Sequence, residues 1–168
     1  YPYKAGMPRE EFRTALGLSQ ALFDQVVDRM VEKLLVIQKG SLIWSVDHRV
    51  VLSLEHEMKV APILAEFETN PFSPPDVNQI QGQIGSDLLE GLLSTQKLVA
   101  VSDQVLFTPS VLNQMHEWVQ QTILETGELS LAQFRDHFNT SRKYAAAVLE
   151  FFDSTGFTYR KGDVRGLR

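Results

Sequence analysis

The chain has 168 residues, 43% of them hydrophobic and 22% charged, with a formal net charge of −5, an ordinary globular composition. It contains no cysteine, which excludes a disulfide framework, cysteine-ligated zinc and thiol chemistry. No apolar run approaches the ~18 residues of a spanning helix, and no signal-peptide pattern is present. The sequence opens at Tyr1-Pro2-Tyr3 without a methionine, so it reads as a piece of a longer protein.

In chain order, Pro8 sits where a helix could start, Arg9 to Leu16 follow, and Gly17 stops it. Ser19 can cap a second helix, with Leu22, Val26, Met30 and Leu34 on one face at spacings of four. A hairpin over 36–46 turns at Lys39-Gly40-Ser41. A helix is predicted over 54–67, with Met58, Ile63 and Phe67 toward a core, broken by Asn70-Pro71 and Pro74-Pro75. That proline-dense stretch is too short for a flexible linker and reads as an ordered loop. Short helices follow over 76–84 and 86–93, then a hairpin over 98–107. A long helix over 110–126 carries Leu112, Met115, Trp118, Val119 and Ile123 on one side and ends at Gly127. A short element over 129–131, a helix over 132–138, a turn at Asn139-Thr140, a helix over 141–152 and a hairpin over 157–167 complete the chain.

Three segments align without a gap: those starting at Leu35, Leu98 and Phe157. In each, helices precede two short β-like runs around a polar turn. A repeat of roughly 60 residues made of helices and a two-stranded wing is the pattern of a winged helix, and repeats of this kind decide the fold. The expected fold class is mainly α with small β-hairpins (α+β): three tandem winged-helix domains in an extended arrangement, over 1–52, 53–122 and 123–168. Units this small lie near the limit for independent folding, so neighbours are expected to pack or share helices.

The units differ in charge. Residues 1–52 carry seven Lys/Arg against six Asp/Glu, residues 53–126 two against ten, and residues 127–168 seven against five. An anionic partner is therefore expected at one end and repelled by the middle. In helix-turn-helix readers the second helix meets the nucleic acid, and its N-terminal amides favour phosphate. That helix begins Ser19-Gln20-Ala21 in the first unit, Ser86-Asp87-Leu88 in the second, and Ser141-Arg142-Lys143-Tyr144 in the third. The third alone offers cations there. At 100° per residue Ala145, Val148, Leu149 and Phe152 point inward. Lys143, Ala146 and Ala147 point outward, with Arg142 and Tyr144 on the flanks. The wing adds Arg160, Lys161 and Arg165 beside Tyr159, and Arg135 and His137 lie just before the turn. Cations interleaved with aromatics suit RNA loops, whose unstacked bases pack on rings and guanidinium planes. The plainer readings are that exposed alanines are simply good helix formers and that Arg142 and Lys143 are a solvated pair. His48, His56, His116 and His137 lack metal-ligand spacing. No phosphate loop, nucleophile elbow or other catalytic constellation appears, so no metal site and no enzyme is expected within this chain.

Phe134-Arg135-Asp136-His137-Phe138-Asn139-Thr140-Ser141-Arg142-Lys143-Tyr144-Ala145, together with the wing Gly162-Asp163-Val164-Arg165, resembles the C-terminal end of the bacterial selenocysteine-specific translation elongation factor; Gly6-Met7-Pro8-Arg9-Glu10-Glu11 is similar to the second of that family's four winged-helix units. The resemblance implies that 1–52, 53–122 and 123–168 are the second, third and fourth of these, the third an acidic spacer. It implies an RNA-binding arm that tethers the factor to the selenocysteine-insertion mRNA hairpin for decoding of UGA. The contacts would fall on Ser141, Arg142, Lys143, Tyr144, Arg160, Lys161 and Arg165. Ribosome and selenocysteinyl-tRNA would be partners through the whole parent protein, in the cytoplasm. GTP and magnesium would belong to the parent's GTPase part, leaving no cofactor in this fragment. The rival readings are a duplex-DNA-binding transcription regulator, which requires a dimer where no heptad seam is offered and a monomer is expected, and a protein-docking module.

Overall fold

The computed structural model describes residues 6–48 and 51–168; the opening Tyr1-Pro2-Tyr3 lies outside them. The first unit starts with strand β1 (Met7–Pro8) and helix α1 (Arg9–Leu16), which ends at Gly17 in the left-handed region, φ 63°. Helix α2 (Gln20–Glu32) leads to β2 (Val36–Lys39) and β3 (Leu42–Ser45). Lys39 pairs with Leu42, so Gly40 and Ser41 alone make the turn, and Gly40 takes φ 60° at no Cβ cost. The strand order is β1-β3-β2.

One expectation in this unit needs correction. The inward face of α2 is not Leu22, Val26, Met30 and Leu34. Phe23 and Val27 are buried, with Met30 packed against them, while Leu22 is exposed and Leu34 is 76% exposed. Residues spaced by four drift about 40° per step around a 3.6-residue helix, so they cannot all share one face. Leu34 lies past the helix end, at φ 56°.

The second unit has helix α3 (Leu54–Thr69), capped by the Ser53 hydroxyl accepting from the His56 amide, then α4 (Val77–Ile84) and α5 (Ser86–Ser94). Its wing is reduced to β4 (Val99–Ala100) and β5 (Leu106–Phe107). Val60, Ile63 and Phe67 fill its core, whereas Met58, expected inside, is 69% exposed. Met58 is two residues from Val60, close to the opposite side of the helix.

Helix α6 (Pro109–Thr126) starts with proline at its first position and ends at Gly127, φ 85°. It runs through the expected boundary at 122. The third unit has β6 (Leu129–Ser130), α7 (Leu131–His137), α8 (Arg142–Ser154), β7 (Thr158–Lys161) and β8 (Val164–Leu167), with strand order β6-β8-β7, the same arrangement as in the first unit. A capping box between Ser130 and Gln133 opens α7.

The second and third units share one core. Val101, Val105 and Phe107 of the second unit's wing region pack with Met115, Val119 and Ile123 of α6 and with Phe134, Val148, Leu149 and Phe152. Leu106 faces the second unit's own core and Phe107 the shared one, so alternation along a two-residue strand serves both sides. The proline loop after α3 adds polar contacts to the joint. Phe72 packs on Phe138 with centroids 4.9 Å apart, Thr140 donates to the Phe72 carbonyl, and the Tyr144 hydroxyl donates to the Pro74 carbonyl at 2.6 Å. Tyr144→Phe keeps the ring and leaves that carbonyl, on a buried proline, without its donor. The expected cost is about 1–2 kcal/mol of unfolding free energy, read as a lower midpoint in urea.

Candidate nucleic-acid interface

The start of α8 is uncapped by any side chain. Ser141 is the N-cap residue, with extended backbone (φ −82°, ψ 162°), but its hydroxyl makes no capping bond, and the first turn carries no acid. The amides there keep their donors for an outside acceptor, and the helix dipole favours an anion. Arg142 is exposed and has no ion-pair partner among the described residues. Lys143, also exposed, has its ammonium 3.5 Å from Asp76 of the second unit. Across the wing turn at Gly162 (φ 62°), Arg160 and Lys161 are exposed, and the Arg160 Nε donates to the Gly162 carbonyl at 2.9 Å, which holds the guanidinium at the wing tip. Tyr159, beside them, lies flat on the backbone of Gly166: a Cβ there would come within 2.9 Å of its ring.

Asp76 caps α4. Its carboxyl is held below the usual carboxylate range, first by the Gln79 amide that donates to it and then by the Lys143 ammonium, against the opposing effect of desolvation. A depressed folded-state value means that the unfolded chain binds more protons at low pH. The stabilisation is therefore complete only above about pH 5 and is lost as pH falls past the ordinary value of 3.8 and through the lower folded-state value. The gap in melting temperature between the protein and its Asp76→Asn variant is expected to be flat above about pH 5 and to close progressively below it.

Other candidate residues are placed differently from the sequence expectation. Arg165 is no phosphate ligand: it is 3% exposed, and its Nε donates to Asp153 at 2.9 Å. Asp153 in turn accepts from the buried Thr158 hydroxyl at 2.6 Å. Cross-strand partners share a sheet face, so alternation puts Arg160 and Arg165 on the same side as the buried Thr158; it did not reveal that Arg165, on the central strand, is covered while Arg160 stays exposed. Tyr144 is half-buried and committed to Pro74 and the Phe107 ring. Ala147 is buried in the shared core, and Ala146 is half-buried. The expected outward face of α8 is thus partly covered by the second unit. Arg135 stays exposed beside Asp136, its Nη2 2.6 Å from that carboxylate. His137 is exposed and stacks on Trp118, a contact that no local signal announced because eighteen intervening residues separate the two in sequence. Ser141, Arg142 and Lys143 at the start of α8 and Arg160 and Lys161 on the wing remain exposed. No cluster of His, Asp and Glu able to hold a metal ion occurs among the described residues, and no helix there is long and apolar enough to cross a membrane.

This arrangement is similar to known proteins along its whole length. Family models described as "Elongation factor SelB, winged helix" match residues 1–43 and 121–167, together more than half of the chain. The selenocysteine-specific elongation factor of Desulfomicrobium baculatum is 22% identical over 99% of this chain, and that of Haemophilus influenzae 24% identical over 91%. The matched regions span 28% and 26% of those proteins' own lengths. Among solved structures, the mRNA-binding domain of elongation factor SelB from E. coli, in complex with SECIS RNA, matches with a TM-score of 0.51 at 23% identity, covering 70% of this chain and 99% of that one. A bacterial selenocysteine-specific elongation factor, EF-Sec, matches with a TM-score of 0.63 at 14% identity, covering 97% of this chain and 26% of that one.

Proposed function

Because the chain belongs to the elongation factor SelB family, as part of its winged-helix region, we propose that it is an RNA-binding arm whose third unit grips the selenocysteine-insertion hairpin of an mRNA. The observation that carries this reading is the uncapped, acid-free start of α8 with exposed Arg142, in the unit whose wing also exposes Arg160 and Lys161. The solved E. coli relative, held in complex with SECIS RNA, supports the choice of RNA. The shared core between the second and third units supports a stiff connection that sets the distance between the RNA-binding end and the rest of the factor. The acidic middle unit acts as a spacer, because its charge repels phosphate. Decoding of UGA, contact with ribosome and selenocysteinyl-tRNA, the use of GTP and magnesium, and residence in the cytoplasm belong in this reading to the parent protein. The arm itself acts as a monomeric binding module that needs no cofactor and catalyses nothing.

The test is binding of the chain to a selenocysteine-insertion hairpin, a scrambled-loop hairpin and a DNA duplex across a salt series. The expected result is tight binding to the first only, with a shallow salt slope. Equal, weak and steeply salt-dependent binding to all three reduces the cationic surface to general electrostatics and overturns the proposal.

A further inference from the structure

We infer that the stacked rings of Trp118 and His137 form a platform for one unpaired nucleobase of the bound RNA, next to the phosphate-binding start of α8. The inference rests on the RNA-arm reading above.

Trp118 projects from α6 and is half-buried. Its indole meets Phe134 edge-on at 6.0 Å and Phe138 at 5.2 Å, so packing against the shared core fixes its plane. His137, the last residue of α7, lies on it with centroids 4.1 Å apart and planes 16° from parallel. Phe138 touches the imidazole edge-on at 4.7 Å, and no other ring meets it among the described residues. His137 is exposed, and neither ring nitrogen is hydrogen-bonded there. One imidazole face is thus pressed against Trp118 while the other faces water. An exposed side chain ordinarily samples several rotamers. Here the indole holds it flat, so a base can stack without first ordering the ring. The unused nitrogens can also bond a base edge.

The location fits the proposed grip. The Thr140 amide donates to the Arg135 carbonyl at 3.1 Å, which folds the end of α7 against the start of α8. His137 therefore precedes the N-cap Ser141 by one tight turn. A nucleotide whose phosphate sits at Ser141 and Arg142 has neighbouring bases within reach of the imidazole. The other aromatics of this unit are less suited. Tyr144 is spent on the joint, and Tyr159 lies on the far, wing side. RNA loops expose bases that stack on such rings, and each stacked base is worth a measurable part of the affinity.

The experiment uses the whole chain and a selenocysteine-insertion hairpin in which each unpaired nucleotide is replaced in turn by an abasic one. His137→Ala is expected to weaken binding to the parent hairpin about tenfold, within the range of base–aromatic stacking, with the melting temperature unchanged. His137→Tyr, which keeps a ring, is expected to restore most of the affinity. At one abasic position the His137→Ala penalty should vanish. In a Trp44→Phe background Trp118 is the single tryptophan, and its emission should change with the parent hairpin but not with that abasic RNA. If His137→Ala binds like the parent protein while Arg142→Ala is weakened, the RNA arm stands and the platform is overturned. If the abasic position couples to Tyr159→Ala instead, the base stacks on the wing and the platform is again overturned. If the unaltered chain does not bind the hairpin, both readings fall.

Discussion

Arg165→Ala is expected to lower the unfolding free energy of the joined second and third units by about 3 kcal/mol, the lower end of what removing one partner from a buried ion pair costs. The guanidinium is 3% exposed and bonds Asp153 in the last turn of α8. Asp153 also accepts the Thr158 hydroxyl from β7. One carboxylate therefore ties both wing strands to the helix that precedes them. Removing the cation leaves that carboxylate half-desolvated with a single neutral donor. The measurement is equilibrium urea unfolding of the variant. Pairing Arg165→Met with Asp153→Asn removes both charges while keeping an acceptor for Thr158, and is expected to recover much of the loss, because a buried pair replaced as a unit costs far less than one broken in half. In the folded variant, the salt dependence of RNA binding should stay as in the parent protein. A slope reduced by Arg165→Ala with no loss of stability would put this side chain on phosphate instead.

The second large effect is expected from Arg142, Arg160 and Lys161 together. Replacing all three by alanine should weaken binding to the selenocysteine-insertion hairpin roughly 100-fold near ~0.1 M salt and reduce the salt slope by about 2, at ~0.7 per phosphate contact on single-stranded RNA. All three are exposed and none anchors the core, so stability should change by less than about 0.5 kcal/mol. The size of the affinity loss separates the RNA arm from a protein-docking module, for which removing these cations should leave partner affinity unchanged. Filter binding at several salt concentrations reads both quantities.

Much of this protein was legible in its sequence because the relevant signals are local. Ser19 stands at the N-cap of α2, though without a capping bond, Gly17 and Gly127 stop helices in the left-handed region, and Gly40 turns the first hairpin. Each depends on residues within a few positions of itself, so spacing alone predicts it. Exposed charge is likewise a default, and Arg142, Arg160 and Lys161 are exposed. The two-residue strands β1 and β6, which widen each wing to three strands, carry no periodicity to detect.

What the tertiary structure decided is which cations and rings are left for a ligand. Arg165 and Arg160 are chemically alike and adjacent across the wing, yet one meets Asp153 and the other meets water. Tyr144 and Lys143 follow Arg142 directly, but Pro74 and Asp76, some seventy residues earlier, engage both. Hydrophobic period shows which side of a helix turns inward within its own unit. It does not show that a neighbouring unit covers a second side, because that depends on a loop brought close only when Phe107, Met115 and Phe134 close a common core. Burying that apolar surface fixes the joint, and the joint in turn leaves the start of α8 and the wing tip open to an anion.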